Sequence, residues 1–179
     1  MLGAVPVHPD CAEVFPLAPA PILKPDGAKK NDCERNAAKH LLTDLRREHP
    51  HLKLIVVEDA PASNGPHIRH LQALDLRFIL GVKQSDHAFL FDWVAASART
   101  AEASFDEENG FRHRFRYLDG VPLNDANFDL EVNVLEYREH APDGSILHFS
   151  RVTVLPVDNT NLTTLMRGAR ARWKIENEI

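Results

Sequence analysis

Two acids, separated by more than a hundred residues, are the groups of this chain with the clearest chemical potential. Asp59 follows the apolar run Leu52–Val57, and Glu176 stands near the end of the terminal segment RGARARWKIENEI, four residues after Arg172. In open α/β sheets ligands gather beyond the carboxyl ends of the strands, the position that Asp59 would occupy. A carboxylate there is partly desolvated and binds a hard cation through oxygen. If Asp59 and Glu176 converge, they are candidate metal ligands. Each also has a plainer reading. Asp59 could serve the turn APASNG, and Glu176 could pair with Arg172 one helical turn earlier, for only a few tenths of a kcal/mol. Glu58 is the weaker acid, because it could as well point to solvent.

Cations crowd the same terminal segment, with Arg167, Arg170, Arg172 and Lys174 inside eight residues. Such a cluster fits phosphate contacts, Arg170, Arg172 and Lys174 being the DNA-binding candidates, or a solvated helix end favoured by the dipole. Arg112, Arg114 and Arg116 alternate with Phe111, His113, Phe115 and Tyr117, which places the three arginines on one face of a strand; a solvated face is the preferred reading there. His67 and His70 have ligand-like spacing but no third partner nearby, so surface or capping roles are favoured. Cys11 and Cys33 follow no metal or redox spacing and read as reduced thiols. No glycine-rich phosphate loop or nucleophile elbow is present.

The elements that must position these groups can be read from periodicity. Residues 2–8 and 12–18 suggest two short, proline-marked strands. Asp32 is a plausible N-cap for a helix carrying Ala37, Ala38, Leu41, Leu42 and Leu45, ending before Pro50. Leu52–Val57 reads as a strand buried on both faces. A short helix over Pro66–Leu74, capped near Ser63 or Asn64, a second strand over Arg77–Lys83 and a helix over Asp86–Ala98 follow. That alternation marks a parallel α/β unit. Beyond residue 100, Phe111–Tyr117, Leu130–Tyr137 and Ile146–Leu155 read as antiparallel strands, with Pro142-Asp143-Gly144 as a hairpin turn. A final helix is expected from Asp158, with the stripe Leu162, Leu165, Met166, Ala169 and Trp173. Three regions result: 1–100 as the first part of an α/β core, 101–157 as a β-rich insertion, and 158–179 as a core helix without a C-terminal glycine cap.

With 179 residues, 44% hydrophobic and 26% charged, the chain suits one well-filled domain. The first residues show no signal-peptide pattern, and no apolar run reaches membrane-spanning length. The net charge of −5 argues against a general nucleic-acid binder. It is unevenly spread, however: residues 101–157 hold 11 acids and 5 bases, and the remainder 15 acids and 16 bases.

Taken together, DCERNAAKHLLTDLRREHPHLKLIVVEDAPASNGPHIRHL, RFILGVK and RGARARWKIENE resemble the catalytic domain of bacterial insertion-sequence DDE transposases. The resemblance covers nearly the whole chain through the order and spacing of these motifs. It implies an RNase H-like mixed sheet flanked by helices, with a β-rich insertion before the last helix. It also implies metal-dependent DNA cleavage and strand transfer, in which Asp59 and Glu176 ligate Mg2+ (or Mn2+), and Arg172 contacts DNA or positions Glu176. The partners implied are transposon ends and target DNA, with room for a homo-oligomer, in a cytoplasmic, nucleoid-associated setting without a membrane. Two divalent ions would activate the attacking oxygen and stabilise the leaving one.

The departures from the family pattern shape the expectation. Asp10, Glu13 and Asp26 lack the strand context of the family's first acid, Ala169 stands where the family has tyrosine, and Ala60 where it commonly has glycine. The chain is therefore expected to be an internal piece without its first catalytic strand, inactive by itself in strand transfer, with apolar strand edges left open. The alternatives are an inactive remnant that binds DNA or a full-length partner, a hydrolytic RNase H-like nuclease, and an unrelated metal-free binding domain.

Overall fold

The computed structural model describes residues 2–8, 10, 17, 19–22 and 30–172. Its element order is α1 (Lys30–Glu48), β1 (Ile55–Glu58), a 3-10 turn (Ala60–Ala62), α2 (Gly65–Ala73), β2 (Arg77–Val82), α3 (Ala88–Ala96), β3 (Ala101–Asp106), β4 (Arg112–Asn124), β5 (Asn127–His140), β6 (Ile146–Thr153) and α4 (Leu162–Arg170). The six strands form one mixed sheet in the order β1-β2-β6-β5-β4-β3. β1 and β2 are parallel, joined by the 3-10 turn and α2; every other pairing is antiparallel. Among the described residues no helix is long and apolar enough to cross a membrane.

Side-chain alternation divides the core into two layers. Phe78, Leu80 and Val82 of β2 face α2 and α3, together with Leu118, Val134 and Val152. Ile79 points the other way, into a second layer where Phe115, Leu135 and Tyr137 meet Leu162, Leu165, Met166 and Ala169 of α4. Helices therefore cover both faces of β2, which explains its uninterrupted apolar sequence. The expected α4 stripe is buried as read, up to Ala169; Trp173 lies outside the described residues.

Residues 101–157 form an antiparallel meander, as their alternation suggests. It is continuous with the α/β unit, because β6 returns to pair with β2 from Ile79↔Thr153 to Val82↔Ser150. In β4 the register slips by one residue between Leu118↔Val134 and Val121↔Val132. Gly120 occupies this bulge at φ +68°, a conformation that costs glycine little. The bulge lets Leu118 and Val121 both join the layer under the helices. It also frees the Asp119 carboxylate to accept a hydrogen bond from Val157 N (3.2 Å to each oxygen), holding the entry to α4. Burial pushes the Asp119 pKa up, against that hydrogen bond.

Several expectations are corrected. Residues 2–8 form no strand: Leu2 and Ala20 make an isolated antiparallel bridge, and Leu17 N donates to Ala4 O. Of residues 12–18, only Leu17 is described. Pro6 lacks a ladder donor, which disfavours a regular strand there. Asp32 lies inside α1 (Lys30–Glu48) and is not its cap. The strand expected over Leu52–Val57 spans Ile55–Glu58 and lies at the sheet edge, leaving Leu52 and Ile55 50% and 42% exposed. An apolar run alone does not distinguish a central strand from an edge strand. Asp158 does not start α4; it caps the preceding turn by accepting from Thr160 N (2.8 Å), and the helix begins at Leu162 after Asn161.

Other assignments agree with the fold. Asn64 caps α2, its side chain accepting from His67 N, with Pro66 in the first turn. Gly144, at φ +83°, closes the hairpin after β5. The connection between α1 and the β1–α2 unit escaped the sequence reading. Arg46 donates to the carbonyls of Leu74 (2.9 Å), Asp75 (2.8 Å) and Leu52 (3.1 Å), tying the ends of α1 and α2 to the approach to β1.

Candidate functional site

The carboxyl end of β1 carries Glu58 and Asp59, and the two diverge as strand geometry requires. Glu58 turns toward α2, where its Oε2 accepts a hydrogen bond from His67 Nε2 at 2.6 Å. His67 is buried, so it is a bridge between β1 and α2 and not the surface or capping histidine expected. His70 is elsewhere, its Nε2 3.3 Å from both Lys39 O and Thr43 Oγ1 of α1. The two histidines therefore serve different contacts and form no shared ligand pair.

Asp59 projects the other way, with its side chain 57% exposed, and its Oδ2 lies 2.9 Å from Arg172 Nη2. Arg172 follows α4, so the segment at the end of that helix meets the end of β1 across more than a hundred residues of sequence. Glu176, Lys174 and Trp173 lie outside the described residues, as do Cys11 and the side chain of Cys33. Arg170 is placed elsewhere, with Nη1 3.5 Å from Glu139 Oε2 of β5. Arg167 pairs with Asp10.

A second guanidinium completes the surroundings of Asp59. Arg151 comes from β6, and its Nη1 sits against Gly81 of β2: a Cβ built on Gly81 would approach that nitrogen to 2.7 Å, and Ala60 N to 2.9 Å. The Arg151 guanidinium carbon also lies 5.0 Å from the centre of the Phe149 ring, a cation–π contact. Burial pushes the Arg151 pKa down; the Asp59 charge opposes that shift and Arg172 reinforces it. Asp59 thus compensates two arginines, one partly exposed and one largely buried. Gly81 is the residue whose lack of a side chain allows that approach.

The turn after Asp59 is held from behind. Ser63 Oγ donates to Ala60 O (2.7 Å), so His87 Nε2, 2.9 Å away, must donate to Ser63 Oγ. The other ring nitrogen, Nδ1, is buried without a hydrogen-bond partner. Burial lowers the His87 pKa, against the nearby Asp86, and keeps the ring neutral. Ser63 is itself buried and spends its proton on the backbone, so this pair is a brace and not a nucleophile and base.

A magnesium ion in this setting needs several oxygen ligands. Asp59 offers one accessible carboxylate, and a cation there would have to displace its Arg172 contact. The described residues direct no second acid to it, Glu58 being committed to His67. Among the described residues no group of three or more His, Cys, Asp or Glu side chains is placed to hold a metal ion. Comparison with known family models and with curated proteins finds no match to this chain.

Sequence reasoning singled out Asp59 and Arg172, and the fold brings these two into contact. It missed Arg151, Gly81, Ser63 and His87. The available signal was the pairing of a glycine within an apolar strand with an arginine within another, which marks a backbone approached by a long side chain.

Proposed function

We propose that this chain is a piece of a DDE transposase catalytic domain, with an RNase H-like core extended by the β3–β6 block, whose family performs metal-dependent cleavage and strand transfer of DNA. The observation that supports this reading most is the Arg172–Asp59 contact at 2.9 Å. It joins the segment carrying the proposed third acid to the end of the strand carrying the second. The parallel β1–α2–β2 unit, with β1 at the edge of the sheet formed by the described residues, is consistent with a family strand pairing beside β1 and contributing the first acid.

In this reading Asp59 and Glu176 would hold Mg2+, which when bound would stabilise charge on the attacking and leaving oxygens at phosphorus. Arg172 positions the Asp59 carboxylate, and Arg151 fixes the underside of the same turn. DNA is the substrate and partner, and the bacterial nucleoid is the setting.

The test uses supercoiled donor DNA with magnesium or manganese. The 179-residue chain is expected to leave the DNA intact. A version extended by a strand with an embedded aspartate is expected to cleave and join it, and to lose that activity, by 100-fold or more on the order typical of an essential charged group, in Asp59→Ala. Cleavage that survives Asp59→Ala would contradict the assignment. Hydrolysis without joined products would move the proposal to an RNase H-like nuclease.

A further inference from the structure

On the side of the sheet that carries α1–α3, the helices cover the rows around Leu118 and Val134 and leave the far half of the meander open. There the register places Arg114 directly opposite Arg138, and Arg138 directly opposite His148. Arg112 and His140 face each other one row further out. Residues opposed in this way share a face, and like charges placed so destabilise the sheet. Two of the arginines are compensated: Arg114 by Asp106 (2.7 Å) and Arg116 by the buried Glu136 (2.6 Å). Arg112 is exposed and stands directly opposite Asp106, whose charge it shares with Arg114, while the exposed Arg138 makes no hydrogen bond or ion pair among the described residues. An open trough of about 530 Å³ runs between the rows, lined by Arg114, Arg116, Arg138 and His140 together with the acids Glu102 and Glu136, the latter held by Arg116.

We propose that this trough is a docking surface for the phosphodiester backbone of DNA, with Arg112 and Arg138 as phosphate contacts and Arg114 as a charge shared with Asp106. The proposal rests on the reading of DNA as the partner. The geometry suits that ligand. Arginines two residues apart on one strand repeat about every 7 Å, and each guanidinium presents a fork that matches phosphate oxygens. A bridging anion also removes the Arg114–Arg138 repulsion, so binding gains what the unliganded sheet loses. The positive field is felt by His148, whose pKa is lowered by burial first and then by Arg138, with Arg116 adding and Glu136 opposing. The acidic total of residues 101–157 is not that of this face, which carries Arg112, Arg114, Arg116 and Arg138 against Glu102, Asp106 and Glu136.

Fluorescence anisotropy of a labelled DNA duplex against the full 179-residue chain, across a salt series, tests the surface. The Arg112→Ala/Arg138→Ala double variant is expected to bind about tenfold more weakly near 0.1 M salt, with the slope of log affinity on log salt reduced by about 2. Its thermal midpoint should stay equal to or above that of the parent, because a like-charge pair has been removed; a purely structural role would lower it. Unchanged affinity and slope in the double variant overturn the proposal while leaving the transposase reading in place. Failure of the parent chain to bind the duplex at low salt also overturns it. Weakened binding by the double variant, together with an extended chain that never cleaves, supports the surface and removes the transposase reading.

Discussion

Arg116→Ala is expected to destabilise the protein by about 3 kcal/mol, the cost of stranding a buried charge. Glu136 projects from the centre of β5 with its side chain only 5% exposed. Arg116 Nε and Nη2 both donate to its Oε1, at 2.9 and 2.6 Å. Removing the guanidinium leaves a carboxylate that must stay charged without a partner, take up a proton, or open the strand pair to water. The loss should therefore far exceed the 0.2–1 kcal/mol, roughly, of an exposed ion pair. Replacing both residues, as in Arg116→Met/Glu136→Leu, is expected to recover most of the stability, because the burial cost goes with the charge. Urea unfolding midpoints of the three proteins measure this. A single-variant cost below about 1 kcal/mol would show the pair to be solvated. This structural duty is why Arg116 is left out of the DNA-binding variants.

Gly81→Ala is expected to cost about 2 kcal/mol, within the range for overpacking a filled interior. Its added methyl would meet the backbone nitrogen of Ala60 at 2.9 Å and Arg151 Nη1 at 2.7 Å. The guanidinium could swing aside; the backbone of the turn cannot move without carrying Asp59 along. The substitution should therefore also disturb the Asp59–Arg172 contact, although neither residue is altered. Gly168→Ala in α4 provides the control. There the new methyl finds only Ile79 Cδ1, at an ordinary 3.8 Å, and alanine is favoured over glycine in a helix by up to about 1 kcal/mol. Loss of stability on Gly81→Ala with none on Gly168→Ala, followed by thermal unfolding, is the expected pattern. Equal tolerance of both would mean that the turn is looser than the structure describes.

Local sequence patterns specified the parts of this fold that depend on local chemistry. Asn64 and Pro66 announce the start of α2, RFILGV reads as an apolar strand, and the period-two arginines of β4 share one face. What was not legible depends on lateral neighbours. Leu54, Val56 and Val57 look as interior as the residues of β2, yet among the described residues β1 has a partner on one side only. Nor did any periodicity show that β6 would pair with β2 and make one sheet of the two blocks. The candidate site divides in the same way. Asp59 was found because a strand ends in an acid, and Arg172 because of its place in a terminal motif. Arg151, Gly81 and the Ser63–His87 brace gather there only through tertiary contact, each being ordinary in its own segment.

The proposed function stands or falls on Glu176 reaching the Asp59 carboxylate and sharing a divalent cation with it. Paramagnetic broadening of backbone amide signals by Mn2+ decides the matter. A shared ion broadens amides at 59–60 and 175–177 together, at the same low metal concentration, and both sets recover in Asp59→Asn. Broadening confined to one of the two segments, or broadening that survives Asp59→Asn unchanged, would contradict a shared site.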